Sequence, residues 1–149
     1  MGEQLFQINM QDIRNIYCVG RNYIEHVEEL HNQKTELPMI FNKSVSTICR
    51  DYKIPYPVHS SLLHFEGEMV FVLQQDAGTA EGSEMLVGSG IDFTARDAQN
   101  IAKKKGLPWF EAKSFRCSTV ISSGFFKCRV TDFKHLSIQT TVNGKISQK

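Results

Sequence analysis

The sequence has no apolar run of about 18 residues or more, so nothing in it reads as a transmembrane helix. Its N-terminus lacks the charged-then-apolar pattern of a secretory signal. Met1-Gly2 suggests a myristoylation start, but Phe6 stands where Ser or Thr is usual. These absences point to a cytoplasmic chain with no membrane partner. Charge of one sign is lacking too. Lys and Arg number 17 against 16 Asp and Glu, and a net charge of +1 argues against a general nucleic-acid binder. The four cysteines (Cys18, Cys49, Cys117, Cys128) make no C-x-x-C pair and no dense framework, so they read as reduced thiols. There is no internal repeat and no low-complexity segment. What remains is globular: 41% apolar, 22% charged, and 149 residues, enough for one domain. A chain of that size buries roughly two-thirds of its unfolded surface.

The stretch from Leu63 to Leu73 organises the rest. Phe65, Met69, Phe71, Val72 and Leu73 favour extended backbone, and no proline interrupts the run. Residues two apart on a strand share a face, so His64, Glu66 and Glu68 point one way, with the glutamates roughly 7 Å apart. One reading is an edge strand with a wet face. The other is a cation site, because Asp92 ends the next strand-like run, Val87 to Asp92. Two carboxylates ~4 Å apart repel by about 4 kcal/mol at an effective dielectric near 20. Three converging ones need a counter-ion or take up protons. An all-oxygen set selects a hard ion such as Mg²⁺, Mn²⁺ or Ca²⁺ over Zn²⁺.

The chain up to Asn15 is an approach segment, followed by a domain from Ile16 to Lys149. Ile16 to Val19 reads as a short strand ended by Gly20, and Asn22 can cap a helix over about Tyr23 to Asn32. That helix puts His26 and Glu29 three apart on one face, as a solvated pair or as a general base oriented by a carboxylate. Met39 to Lys43 reads as a strand. Ile54-Pro55-Tyr56-Pro57 reads as extended edge backbone, and Gln74 to Glu84 as a loop. Thr94-Ala95-Arg96-Asp97 has a capping-box layout, with Asp in place of Glu, opening a helix that runs to Lys105. Lys103, Lys104 and Lys105 suit its negative end, and Gly106 and Pro108 stop it. That accounts for the lysine run without a nucleic-acid patch. Arg96 and Gln99 share a face of this helix, beside Asp92, in a position suited to an anion. Lys113, among Trp109, Phe110 and Phe115, either snorkels to water or offers a cation to a developing oxyanion. Val120 to Phe126 and His135 to Val142 read as strands. Asn143-Gly144 signals a type I′ hairpin, whose returning strand stops at Lys149.

In order, these segments resemble the fumarylacetoacetate hydrolase family, in the branch that holds acylpyruvate hydrolases and oxaloacetate decarboxylases. The residues that carry the resemblance are Tyr17-Cys18-Val19-Gly20-Arg21-Asn22-Tyr23 with His26, then Phe41-Asn42-Lys43, then the H-x-E-x-E of His64, Glu66 and Glu68. Gly90 to Gln99, Lys103 to Trp109 and Ala112-Lys113-Ser114-Phe115 complete the set. The resemblance implies an α+β, β-rich fold, a mixed β-sandwich roll with few short helices, commonly dimeric. It implies Glu66, Glu68 and Asp92 as ligands for Mg²⁺ or Mn²⁺, with Ca²⁺ admissible. His26 and Glu29 match a water-activating dyad. Arg21, Arg96, Gln99 and Lys113 match groups that hold a small keto acid, Lys113 also acting on the developing enolate. The implied activity is C–C hydrolysis of acylpyruvate-like β-diketo acids or decarboxylation of oxaloacetate. The family's later strands, with their Thr-Gly-Thr-Pro segment, have no counterpart here, and Gly67 stands where a bulkier residue is usual. The alternative is therefore a shortened, non-catalytic member that binds metal or a partner chain.

Overall fold

The computed structural model describes residues 4–20, 38–73 and 83–148. Arg21, His26, Glu29 and the expected helix around them lie outside the described residues, as does most of the 74–84 loop.

The fold is built on one long antiparallel ladder, β3 (Leu63–Val72) against β4 (Glu84–Ala95). Its register sets Glu66 opposite Asp92, Glu68 opposite Gly90 and His64 opposite Thr94. Directly opposed residues share a face, so the alternation read from the sequence carries across the ladder. On its other side β4 pairs with β5 (Thr119–Ile121) and then with β6 (Phe126–Arg129), placed end to end. The sequence suggests one continuous strand from 120 to 126. Instead residues 122–125 leave the ladder, the Ser122 hydroxyl donating to Gly124 O at 3.0 Å. The excursion seats the fully buried Phe125 ring over Gly88, where a Cβ would come within 2.7 Å of it. Phe6 of the approach segment pairs with Phe125 through two backbone hydrogen bonds of 2.7 and 2.8 Å.

A second sheet pairs β1 (Ile16–Gly20) with β2 (Met39–Lys43), and it ends with Lys43 reaching Asp92 of β4. Helix α1 (Arg96–Lys105) follows β4 without a break, and the four-residue α2 (Phe110–Lys113) follows it. Gly106 closes α1 in the left-handed region at φ 66°, with Lys103, Lys104 and Lys105 in the last turn, as expected. The capping box does not form. Thr94 stays in the ladder opposite His64, Ala95 precedes the helix with no side-chain cap, and the Arg96 amide donates to Leu62 O at 2.8 Å. Asp97 instead holds Ser60 and Ser61. Strand pairing to Ala95 leaves Thr94 no freedom to turn back on the helix.

Residues 54–57 join no sheet, and 130–135 form a 3₁₀ turn, so the expected strand from 135 shrinks to β7 (Thr140–Val142). Asn143 (φ 52°) and Gly144 (φ 78°) make the hairpin turn into β8 (Lys145–Gln148). This hairpin docks on β3. Gln148 Oε1 accepts from the Gly67 amide at 2.8 Å, and a Cβ on Gly67 would collide with Thr140 Oγ1. The unusual glycine between the glutamates is therefore a seat for the hairpin.

Candidate functional site

Alternation on β3 and the register with β4 bring Glu66, Glu68 and Asp92 together. One carboxylate oxygen from each lies within 4.8 Å of the others. Around them stand three cations from three other elements. Lys43 Nζ, at the end of β2, meets Asp92 Oδ1 at 2.6 Å and the Ser118 carbonyl at 3.0 Å. Lys113 Nζ, at the end of α2, bridges Asp92 Oδ2 at 2.6 Å and Glu66 Oε2 at 2.7 Å. Arg96, opening α1, reaches Glu66 Oε1 at 3.0 Å, Gln99 Oε1 at 2.6 Å and His64 Nδ1 at 3.4 Å. Lys113 does not snorkel. It is 2% exposed and lies 5.2 Å from the centre of the Phe41 ring.

The electrostatics divide the three carboxylates. Asp92 and Glu66 each contact two cations. Glu68 accepts no hydrogen bond from the described residues, and burial, then Asp92, push its pKa up to about 7. Burial pulls the Lys113 pKa down, but Asp92 and Glu66 outweigh it and the net shift is upward. Burial wins at Lys43, whose pKa is lowered despite Asp92. Cys18 of β1 faces the same cluster. Burial, Asp92 and Glu68 push its thiol up to about 12, so it is an inert wall residue.

The structure thus brings Glu66, Glu68, Asp92, Arg96, Gln99 and Lys113 to one place, while Arg21, His26 and Glu29 lie outside the described residues. Sequence reasoning assigned no role to Lys43, a buried cation on Asp92. The signal was present, since a lysine two residues from Phe41 shares that aromatic's face of the strand. Sequence reasoning read Thr94 only as a helix cap, whereas the residue is fully buried with no partner for its hydroxyl oxygen among the described residues.

A β-rich α+β fold with a partly buried cluster of carboxylates and cations at the strand-to-helix junction is what the sequence resemblance leads one to expect. The model of the fumarylacetoacetate hydrolase family, C-terminal domain, matches residues 15–149, and the chain belongs to that family. It is 35% identical to the mitochondrial oxaloacetate tautomerase of Bos taurus, over 91% of this chain and 64% of that protein. It is 34% identical to the mitochondrial oxaloacetate decarboxylase of Dictyostelium discoideum, over 91% of this chain and 66% of that one. The chain therefore spans slightly under two-thirds of these relatives. In fold it matches a crystal structure of the fumarylpyruvate hydrolase of Pseudomonas aeruginosa in complex with Mn²⁺ and pyruvate. The TM-score is 0.72 and the identity 24%, covering 98% of this chain and 69% of that one.

Proposed function

We propose that the chain is a divalent-metal-dependent module acting on a small keto acid through its enolate, with oxaloacetate-like dicarboxylates favoured over acylpyruvates. The observation that carries the reading is the convergence of Glu66, Glu68 and Asp92 within 4.8 Å. The residues fit a hard cation. All donors are oxygens, and Glu68 has a strongly raised pKa and no hydrogen-bonded partner among the described residues, which marks a missing positive charge. Held there, Mg²⁺ or Mn²⁺ (Ca²⁺ also fits the donor set) would act as a Lewis acid on the keto acid's oxygens.

The chain's own residues do the rest. Arg96 and Gln99 orient the substrate carboxylate, with Arg21 assigned there by family resemblance. Lys113 stays cationic against its burial and donates to the oxygen on which enolate charge develops. Lys43 fixes Asp92 from the opposite side. Among the described residues Lys43, Arg96 and Lys113 face Glu66, Glu68 and Asp92, and a divalent ion would add positive charge suited to a dicarboxylate. Enolisation or loss of CO₂ needs no attacking water. Hydrolysis does, and His26 with Glu29 would then serve as the base.

The test is Mg²⁺- or Mn²⁺-dependent enol–keto conversion of oxaloacetate and release of pyruvate by purified protein, with acylpyruvates in parallel. Glu66→Ala should abolish all of it. His26→Ala should lower hydrolysis by ~10²–10⁴-fold and spare the oxaloacetate reactions. The alternative is a non-catalytic module that binds metal or a partner chain. Metal binding without turnover would select it. A homodimer belongs to the proposal, because Tyr17, Val19 and Ile40 expose apolar surface on the β1–β2 sheet. Both relatives are mitochondrial by name, so a mitochondrial location competes with the cytoplasmic expectation.

A further inference from the structure

Helix α2 is a single turn, Phe110–Lys113, and so short a helix leaves its last carbonyls without intrahelical partners. Lys113 ends it and is 2% exposed, so its carbonyl has little water to turn to. Ser118 supplies the partner. Its hydroxyl donates to the Lys113 carbonyl at 2.9 Å and accepts from the Phe115 amide at 3.3 Å. Its own amide donates to Phe115 O at 3.0 Å. The turn from 113 to 118 is thereby closed around one side chain, with Cys117 at φ 57°, in the left-handed region.

Ser118 is fully buried, at the point where this turn enters β5. Its carbonyl accepts from the Phe93 amide of β4 at 2.9 Å and from Lys43 Nζ at 3.0 Å. One residue therefore holds two lysines of the cluster, by different atoms. Strand pairing of Thr119 with Asp92 places the carbonyl whatever the side chain at 118. Only the hold on Lys113 needs the hydroxyl. Glu66 and Asp92, which grip Lys113 Nζ, are also the candidate cation ligands, so their grip is shared with any ion they take. The anchor at Ser118 is not shared.

On the role given to Lys113 above, we propose that the Ser118 hydroxyl is a positioning group for that lysine. By pinning the carbonyl of a one-turn helix, it sets where the Lys113 ammonium meets the oxygen on which enolate charge develops. Ser118 touches no reacting atom and acts through the backbone of Lys113. Removing the hydroxyl loosens Lys113 and leaves Lys43, still bound to the carbonyl, in place.

The first arm of the test needs no turnover. Native, metal-free protein is pulsed with acetic anhydride below its melting temperature, then unfolded, digested and mapped by mass spectrometry. In the wild type both buried lysines are protected. In Ser118→Ala, acetylation of Lys113 should rise several-fold while Lys43 stays protected. A parallel rise at both lysines would show general loosening, and no rise at either would show that the hydroxyl holds nothing; each overturns the proposal. Ser118→Cys keeps a similar size and a weak donor. It should fall between wild type and Ser118→Ala, and it carries the test if the alanine variant does not fold. A cysteine variant identical to alanine would overturn the hydrogen bond as the cause.

The second arm measures Mn²⁺-dependent oxaloacetate conversion. In Ser118→Ala, kcat should fall several-fold with KM and Mn²⁺ affinity kept, the pattern of a contact made only in the transition state. Unchanged kcat beside a labelled Lys113, or a change confined to KM or Mn²⁺ affinity, overturns the positioning role. A wild type without turnover would instead count against the enolate reading and leave the labelling result standing.

Discussion

Strand β4 carries an acidic residue near each end, and each meets lysine. At the outer end, Glu84 reaches Lys127 diagonally across the ladder at 3.8 Å, with both side chains about half exposed (52% and 54%). At the inner end, Asp92 meets Lys43 and Lys113 at 2.6 Å each, all nearly sealed from water. Both residues sit in antiparallel ladders, Asp92 between β3 and β5 and Glu84 against β6 alone. The difference lies in what covers each pair. A solvated pair is screened and contributes about 0–1 kcal/mol. A sealed one must balance the cost of removing three charges from water, which it does only while every partner is present. Buried ion clusters of this kind are better understood as preorganised chemistry than as sources of stability.

The largest expected effect separates the two ends. Asp92→Ala leaves Lys43 and Lys113 sharing a site that has lost a negative charge, and should cost about 3–5 kcal/mol in chelator-treated protein. Glu84→Ala should cost under about 1 kcal/mol. Urea denaturation measures both, and equal costs would break the comparison. Next in size, Gly67→Ala drives a methyl into Thr140 Oγ1 and should cost about 1–3 kcal/mol by displacing the hairpin. A melt unchanged from wild type would mean that the hairpin is not seated there.

A pH effect comes third. Glu68 is raised from 4.5 to about 7 by burial and then by Asp92. In metal-free protein its contribution to stability is fully present below its unfolded value and lost as pH rises through about 7. Glu68→Gln should remove that part of the pH dependence of melting, and an unchanged profile would place its source elsewhere. The smallest effect is at Thr94. Its hydroxyl oxygen has no partner among the described residues, so Thr94→Val should be neutral or stabilising by about 1 kcal/mol. A loss of 2 kcal/mol or so would reveal a bound water or another partner at that oxygen.

The site was legible where one period governs. The two-residue spacing of His64, Glu66 and Glu68 survives in the ladder unchanged, and Asn143-Gly144 and Gly106 act through their own backbone preferences. It was illegible where tertiary pairing overrides a local signal. Thr94 carries the mark of a helix cap, yet the ladder to Leu63 holds it in the strand. The run from 120 to 126 has strand composition, yet Phe125 must fill the space over Gly88, and the chain bends to place it. Lys43 lies among apolar residues where a lysine ordinarily reaches for water. Its destination, Asp92, is 49 residues away, and only the assembled sheets reveal it.

The most direct test of the central claim, a divalent-cation site on Glu66, Glu68 and Asp92, is calorimetric titration of Mn²⁺ into the wild type and Glu68→Gln. Glu68 is the informative position because no described ion pair is lost with it. The wild type should bind with an affinity that rises as pH climbs from about 6 to about 8, releasing a proton below about 7, as Glu68 must give one up to ligate. Glu68→Gln should bind far more weakly, with that pH dependence gone. No binding by the wild type, or equal affinity in Glu68→Gln, would contradict the account.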